Sequence, residues 1–264
     1  MGNRKDSLGD RMKEFYENRS KTYLTRRTPV IIRLDGKAFH SFTKGFKRPY
    51  DEVFHEAMNS TLQYLCKNIQ GCKFGYTQSD EISLLLTDYD TLTTDAWFDY
   101  NVQKMCSIAA SMATLHFNQA FRTAVNQFTA GKTLDKYGIE LMKAKDKGAM
   151  FDARCFNIPL TEVVNCFIWR QQDATRNAVQ MLGQTYFSSS QLHKKSTAVI
   201  QEMLWQEHKI NFNDMPIEFK RGICCYKTIV SKNGVARSEW VIDKFCPIFT
   251  QDREYIERFL LKED

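Results

Sequence analysis

The order of the apolar segments in the first 158 residues constrains the fold of this chain more than any other feature. Four strands are predicted from β-branched or apolar runs, at 30–36, 72–77, 82–87 and 149–158. Helical periodicity predicts a helix at 50–69, between the first two strands, and another at 95–128, before the fourth. This βαββαβ order is typical of an α+β, ferredoxin-like fold, in which the first and third strands are central antiparallel neighbours.

The flanking segments predict further elements with shorter patterns. The capping pattern Ser7-x-x-Asp10 and the apolar series after it predict an amphipathic helix over 7–24. No element is predicted for the polar segment, rich in Lys and Gly, that runs to residue 148. The C-terminal part is expected to form an appended lobe of helices and one β-hairpin, with helices at 160–187, 195–208 and 251–261 and the hairpin turn around Asn233-Gly234.

Composition excludes several classes of protein. The chain has no apolar run near the roughly 20 residues that a membrane span needs, and its N-terminus shows no secretory signal. We therefore expect no membrane association and a cytoplasmic location. The eight cysteines form no CxxC pair, which favours reduced thiols. A net charge of +6 fits a polyanionic ligand without proving one.

Three carboxylates lie where the predicted topology would bring them together. Asp35 ends the first strand, and Asp80-Glu81 lie in the turn before the third. Because these strands are expected to be antiparallel neighbours, the carboxylates should converge, and Mg²⁺ with substrate phosphates would relieve their repulsion. Gly36 would allow a phosphate or carbonyl to approach closely. The basic loop that follows contains Lys37, Lys44, Lys47 and Arg48.

These features also have purely structural explanations. Acidic residues are common at strand ends and turns, and a basic loop is more often a solvated surface than a phosphate site. The four tryptophans are expected in the core or at interfaces more often than as stacking platforms. No zinc motif or P-loop is present in a suitable context. The residues alone leave a metal site and a structural role both open.

Three segments, in order and with matching spacing, resemble the signature of the tRNA-His guanylyltransferase family. They are Arg33-Leu-Asp35-Gly36-Lys-Ala-Phe39-His40-Ser-Phe42, Lys47-Arg-Pro-Tyr-Asp51 and Tyr76-Thr-Gln-Ser79-Asp80-Glu81. Downstream, Phe151-Asp-Ala-Arg154 and the segment from Trp169 to Asn177 are also similar to family segments. The likeness spans most of the chain and weakens toward the C-terminus.

The resemblance implies a polymerase- or cyclase-type palm over 29–159, between an N-terminal helical arm over 1–28 and a fingers-like, tRNA-binding region over 160–264. It implies two Mg²⁺ ions, held by Asp35, the Gly36 carbonyl and Asp80, with Glu81 in support of this catalytic set. The nucleotide-binding residues that it implies are Asp35, Gly36, Lys37, Ala38, Phe39, His40, Lys44, Arg48, Asp51, Ser79 and Asp80.

The implied reaction adds nucleotides to the 5′ end of tRNA in the 3′-to-5′ direction. ATP or GTP activates the 5′-monophosphate, the 3′-hydroxyl of an incoming nucleoside triphosphate then displaces the activating nucleotide, and pyrophosphate is later removed. The resemblance also suggests a homotetramer. We expect contacts to tRNA from residues that follow the palm: Arg154, Arg170, Arg176, Asn177, Lys194 and Lys195.

One departure from the family pattern bears on the reaction. Eukaryotic guanylyltransferases carry His-Ile-Asn-Asn-Leu-Tyr-Asn where this chain has Thr175-Arg-Asn-Ala-Val-Gln-Met181, and only Asn177 is shared. The chain in this respect resembles the guanylyltransferase-like proteins, which add templated nucleotides to 5′-truncated tRNA. We therefore expect template-dependent repair of the 5′ end.

Three alternatives are kept open. The first is a dedicated enzyme that adds G at position −1 of tRNA-His, and the second is a nucleotidyl cyclase on the same palm. The third is a non-catalytic RNA-binding module, which is disfavoured because RRM domains carry stacking aromatics on their central strands. The first and third predicted strands here contain no aromatic residue.

Overall fold

A computed structural model describes residues 7–232 and 235–260 of the chain. In this part, six strands form one sheet in which every neighbouring pair is antiparallel. The strands are β1 (Val30–Gly36), β2 (Cys72–Gln78), β3 (Glu81–Leu86), β4 (Phe151–Asn157), β5 (Ile223–Lys232) and β6 (Val235–Asp243). Their order across the sheet is β4-β1-β3-β2-β5-β6. The protein is therefore of mixed helix and antiparallel-sheet class.

Helices of very different length surround the sheet. The long ones are α3 (Glu52–Asn68), α4 (Val102–Thr129) and α6 (Val163–Tyr186). The shorter ones, in chain order, are α1 (Leu8–Phe15), α2 (Phe39–Phe42), α5 (Lys136–Lys147), α7 (Ser189–Leu192), α8 (Thr197–His208), α9 (Ile217–Arg221) and α10 (Glu254–Glu257). Within the described residues, no helix is both long and apolar enough to cross a membrane.

Both faces of the sheet are covered, which explains why β1 is a nearly continuous apolar run. Side chains alternate between the two faces of a strand. Val30, Ile32 and Leu34 accordingly belong to the core under α3 and α4, whereas Ile31 belongs to the core on the opposite face, with Phe167 of α6. A third apolar cluster joins the C-terminal half of α6 to α8 and α9. Asp35 thus ends a rigid central strand.

The predicted strands are confirmed, and β1 and β3 are antiparallel neighbours with Asp35 opposite Glu81. The hairpin of β5 and β6 is a correction to the predicted appended lobe, because β5 pairs with β2 and extends the same sheet. The predicted turn, Asn233-Gly234, lies outside the described residues. The division into regions at residues 28 and 159 stays a prediction.

Three predicted helices are clearly shorter in the structure, and four helices, α2, α5, α7 and α9, were not predicted. The first ends at Phe15 and is followed by a 3-10 turn, Glu17–Ser20. The helix α4 begins at Val102 because Phe98 and Asp99 have a positive φ of 51°, which α-helical backbone does not allow. The last helix spans only Glu254–Glu257. In the Lys- and Gly-rich segment, Asp135 caps α5 by accepting a hydrogen bond from the Gly138 amide.

Candidate active site

Asp35 and Asp80 meet at one end of the sheet because the pairing of β1 with β3 extends to the first residue of β3. Asp35 lies opposite Glu81 in the register. The Gly36 amide donates a hydrogen bond of 3.1 Å to the backbone carbonyl of Asp80. Ser79 has a positive φ of 50°, and its hydroxyl donates to the Asp80 carboxylate at 3.0 Å. The turn before β3 is thereby fixed against the end of β1.

The charge on Asp80 is only partly compensated. Burial is the main cause that raises the pKa of Asp80, and the negative charge of Asp35 adds to it. Hydrogen bonds from the Ser79 side chain and from the backbone act in the opposite direction. A cation between these two carboxylates would remove the repulsion that remains.

Glu81 differs from this pair in having a basic side chain as its partner. The Arg170 guanidinium lies 2.9 Å from a Glu81 carboxylate oxygen, and both side chains are almost completely buried. Burial raises the pKa of Glu81, and the charges of Arg170 and Arg33 oppose that rise. The expected repulsion among three carboxylates is therefore reduced at Glu81 by its pairing with Arg170, although the charge of Asp35 still helps to raise the pKa of Glu81.

A divalent cation would have two carboxylates and one backbone oxygen as protein ligands here. Within the described residues, no group of three or more His, Cys, Asp or Glu side chains is arranged to hold a metal. Asp35, Asp80 and the Gly36 carbonyl are nevertheless the hard oxygen donors that suit Mg²⁺, an ion that binds through few protein ligands and keeps its waters. The donor set and the raised pKa of Asp80 fit that ion.

A cavity of about 500 Å³ opens beside the carboxylate pair. Of the predicted nucleotide-binding residues, it is lined by Asp35, Gly36, Ala38, Phe39, His40, Arg48, Asp51, Ser79 and Asp80. Lys37 and Lys44 are exposed and do not belong to its lining. The volume is that of a typical small-molecule site. The structure thus gathers most of the predicted set around one concave surface.

Gly36 and Phe39 have a structural role within that set. A β-carbon at Gly36 would overlap the ring of Phe39, so the glycine permits close approach of a side chain of the protein rather than of a ligand. The Phe39 ring lies among other aromatic rings, 5.1 Å from Phe42 and 5.1 Å from Phe151. The contribution of Phe39 to the cavity wall is therefore to hold the turn after β1 against the core.

Asp51 is also engaged by the protein. One of its carboxylate oxygens accepts a hydrogen bond from the Phe54 amide and caps α3. The other accepts from the Lys47 amide at 3.0 Å and from the Tyr137 hydroxyl at 2.8 Å. Asp51 therefore shapes the loop that borders the cavity, and its contact with a nucleotide stays a prediction.

The opposite wall of the cavity is one face of α6. Ala174, Asn177, Ala178, Met181 and Gln184 line it. Their spacing of three or four residues follows the helical repeat. Asn177 was predicted to contact tRNA, and it lines the same cavity as the residues predicted to bind the nucleotide. The segment that departs from the eukaryotic pattern thus forms part of the cavity wall, although Val179 faces the core.

Several side chains that line the cavity were not predicted from the sequence, among them His55 and Glu218. His55 stacks on Tyr50 with ring centroids 4.0 Å apart, and the Tyr50 hydroxyl donates to Glu218 at 3.0 Å. Burial, assisted by the charge of Lys244, lowers the pKa of His55 to about 3, so this histidine is neutral. The helical spacing of His55 from Asp51 could have indicated its position, since both lie on α3.

The remaining residues predicted to bind tRNA lie on or near α6 and β4. The predicted contact of Arg170 with tRNA is corrected. Its guanidinium is buried against Glu81 and stacks on Trp169, with 3.5 Å between the guanidinium carbon and the ring centre, which leaves no surface for a phosphate. Arg154 is exposed and pairs with Asp152, and Arg176 is exposed and pairs with Asp173. Lys194 and Lys195 are exposed after α7. Asp152, opposite Asp35 in the register, was not singled out from the sequence.

Comparison with known proteins decides the family. A sequence model described as tRNAHis guanylyltransferase matches residues 9–159, more than half of the chain. The chain belongs to the tRNA-His guanylyltransferase family. The resemblance found in the sequence is thereby confirmed, and the protein is a nucleotidyltransferase, the enzyme class of this family.

Members of the tRNA-His guanylyltransferase family are similar to the chain along most of its length. A bacterial tRNA(His) guanylyltransferase-like protein, solved in complex with ATP, is 43% identical, with a TM-score of 0.81 over 97% of this chain and 99% of that one. A bacterial tRNA(His) guanylyltransferase-like protein solved in complex with GTP is 42% identical, with a TM-score of 0.79 over the same shares. The tRNA(His) guanylyltransferase of Saccharomyces cerevisiae is 27% identical over 78% of this chain and 83% of its own length.

Proposed function

We propose that this enzyme repairs the 5′ end of truncated tRNA by template-dependent nucleotide addition in the 3′-to-5′ direction. The observation that carries the proposal is the cavity in which Asp35 and Asp80 face α6, because it combines a cation-binding carboxylate pair with room for a nucleotide. We assign residues 29–159 to a ferredoxin-like, polymerase-type palm, which the strand order β4-β1-β3-β2 supports.

Two Mg²⁺ ions would be held by Asp35, Asp80 and the carbonyl of Gly36, with substrate phosphates and water as their other ligands. Bound there, they would lower the barrier to phosphoryl transfer by stabilising the charge on the attacking and leaving oxygens. The protein's own contribution is to hold the two carboxylates in place. It does so through the β1–β3 pairing and the hydrogen bond from Gly36 to Asp80.

We place the nucleotide between the loop that follows β1 and the wall formed by α6. His40 and Arg48 line the loop side, where a guanidinium can neutralise phosphate charge and an imidazole can stack on a base. Similar bacterial proteins have been solved in complex with ATP and with GTP. These observations support nucleoside triphosphates as substrates, with ATP or GTP as the activator of the 5′ end.

The composition of the α6 wall supports the use of a template. Ala178 and Met181 line the cavity, and at both positions this chain differs from the eukaryotic guanylyltransferases. If that wall makes no base-specific contact, pairing with the opposite strand must select the incoming nucleotide. A mismatched nucleotide would then bind with its 3′-hydroxyl out of line, and misplacement by about 1 Å can cost on the order of 10²-fold in rate.

Addition of a single G to tRNA-His is the second candidate. It is favoured by the family itself, whose name describes that activity. The two candidates share the carboxylate pair and differ only in how the nucleotide is selected.

We further propose that the enzyme acts as a homotetramer in the cytoplasm, and its eight free cysteines agree with a reducing compartment.

Nucleotide transfer can be measured directly with purified protein, 5′-truncated tRNA, Mg²⁺ and labelled nucleoside triphosphates. We expect label in the RNA with the wild type, and a loss of at least about 100-fold with Asp35→Ala or Asp80→Ala, since removal of a ligand disrupts the metal site. Arg122→Gln, an exposed change on α4, is the control and should keep full activity. Folded Asp35 and Asp80 variants that keep activity within about tenfold of wild type would contradict the proposed site.

A further inference from the structure

Arg33 is a half-buried charged group without a partner. In the part of the chain that the structure describes, its guanidinium forms no hydrogen bond and no ion pair, and its Nε atom is buried. Glu81 lies close enough to feel its charge but is paired with Arg170. The guanidinium carbon of Arg33 lies 5.5 Å from the centre of the Trp169 ring. An unsatisfied charged donor is costly, so this position calls for an anion.

A second arginine lies opposite Arg33 on the neighbouring strand. Arg33 of β1 is opposite Arg154 of β4 in the register. Side chains at such positions lie on the same face with β-carbons about 4.5–5.5 Å apart, and two like charges there destabilise the sheet. Arg154 has one compensating partner, Asp152, at 3.1 Å, and half of its side chain is exposed. Of the two arginines, Arg154 has a paired carboxylate, whereas Arg33 has none among the described residues.

This basic pair adjoins the reacting end of β1. Side chains two residues apart on a strand share a face, so Arg33 and Asp35 lie on the same face, about 6.6 Å apart along the strand. Trp169, half of whose side chain is exposed, borders them from α6. Arg33, Arg154 and Trp169 do not belong to the lining of the nucleotide cavity. The basic pair therefore approaches Asp35 from a different side than the nucleotide does.

We propose that Arg33 and Arg154 bind a phosphate group, and that this group is the 5′-terminal phosphate of the RNA. A guanidinium pair matches a phosphate in charge and in hydrogen-bond geometry. The cavity is the site that we propose for the nucleotide and its triphosphate. The basic pair lies outside it and is therefore available to the other reactant, the RNA. This inference rests on the proposed function, because it assigns the second substrate of the same site.

Binding measurements without turnover test the assignment. The probe is an RNA acceptor-stem hairpin, prepared with a 5′-phosphate or with a 5′-hydroxyl, and the readout is the ratio of the two dissociation constants. We expect the wild type to bind the phosphorylated RNA about tenfold more tightly, and Arg33→Gln to bring the ratio close to one. Arg154→Gln should lower the ratio as well, and it provides a second test if Arg33→Gln does not fold.

A parallel titration distinguishes the two sources of phosphate. Binding of ATP and GTP should change less than twofold in Arg33→Gln if the basic pair serves the RNA. A large loss of nucleotide binding with an unchanged RNA ratio would overturn the assignment in favour of the triphosphate. Arg122→Gln, which removes an exposed arginine from α4, should leave every constant unchanged.

Different results would refute the phosphate site and the proposed function. A wild type that transfers nucleotides but does not prefer 5′-phosphorylated RNA, or an Arg33→Gln variant that keeps the wild-type preference, would refute the phosphate site alone. A wild type that shows the preference, lost in Arg33→Gln, but transfers no nucleotide would refute the proposed reaction and leave the phosphate site standing.

Discussion

At Asp80, burial and the neighbouring charge of Asp35 both act against ionisation. The chain compensates its other buried carboxylates near the site, since Glu81 pairs with Arg170 and Asp51 accepts three hydrogen bonds. At Glu81, burial and the charge of Asp35 act in the same direction, but the charges of Arg170 and Arg33 oppose them. The ion pair with Arg170 therefore distinguishes Glu81 from Asp80. It could not be predicted from the sequence, where Asp80 and Glu81 are neighbours of the same chemical type.

Asp80 should make the metal-free protein less stable as the pH rises. Its pKa is higher in the folded than in the unfolded protein, so the folded state binds more protons between the two values. Stability therefore falls as the pH rises through that window. We expect Asp80→Asn to abolish this decrease, measured as the difference in Tm between the variant and the wild type in EDTA from about pH 4 to about pH 7.

Addition of Mg²⁺ at the higher pH should restore the Tm of the wild type and leave that of Asp80→Asn unchanged. A wild type and a variant with parallel Tm curves across this range would show that Asp80 is compensated by some other group.

Arg170 should matter for stability more than for RNA binding. Its loss leaves Glu81 buried and unpaired, and breaking a buried pair by removing one partner costs about 3–5 kcal/mol. We expect Arg170→Met to lower the free energy of unfolding by about that amount, and the double variant Arg170→Met with Glu81→Gln to recover much of the loss. Urea unfolding measures both values.

Arg176→Gln is the matched control, because it removes an exposed arginine from the same helix. Its effect should stay below about 0.5 kcal/mol. An Arg170→Met variant as stable as wild type but with tRNA binding reduced tenfold would restore the original expectation of a phosphate contact.

The elements of the sheet were largely predictable, because each rests on a local pattern of apolar residues. The helix α5 was not, since its Lys-rich composition conceals the capping by Asp135 and the one face that Leu141 buries. The pairing of β5 with β2 was also beyond prediction, because it joins segments about 150 residues apart. Strand register, which sets Arg154 opposite Arg33, depends on contacts of the same distant kind.

Gly36, at the end of β1, is packed directly against the Phe39 ring of α2. A methyl group at Gly36 would overlap the Phe39 ring and displace the turn that carries Asp35. We expect Gly36→Ala to destabilise the protein by about 1–3 kcal/mol and to reduce nucleotide transfer. Denaturant unfolding and the transfer assay measure the two effects.

Gly9→Ala serves as the control, since its β-carbon would meet only the Ser7 hydroxyl, at 3.9 Å, on an exposed helix. It should be neutral or slightly stabilising. A Gly36→Ala variant as stable as Gly9→Ala would show that Phe39 can move without cost, and that the glycine is not required for packing.

For the whole molecule, the fold brings three parts of the chain to one cavity: the end of β1 with its loop, the turn before β3, and α6. The family was evident from the first two, whose motifs are continuous in sequence. The third part carries the segment from which we propose templated repair, and its place in the cavity wall emerges only from the folded structure. In that proposal, a base on the RNA, not a pocket on the protein, selects the incoming nucleotide.

The most direct test uses four 5′-truncated tRNAs that differ only in the base opposite the missing 5′ nucleotide. Each is incubated with the enzyme, Mg²⁺ and each of the four nucleoside triphosphates in turn, and the rate of incorporation is measured. We predict that the complementary nucleotide is incorporated fastest on every substrate, by on the order of 100-fold over a mismatched one. Incorporation of G on all four substrates, whatever the opposing base, would contradict template-dependent repair.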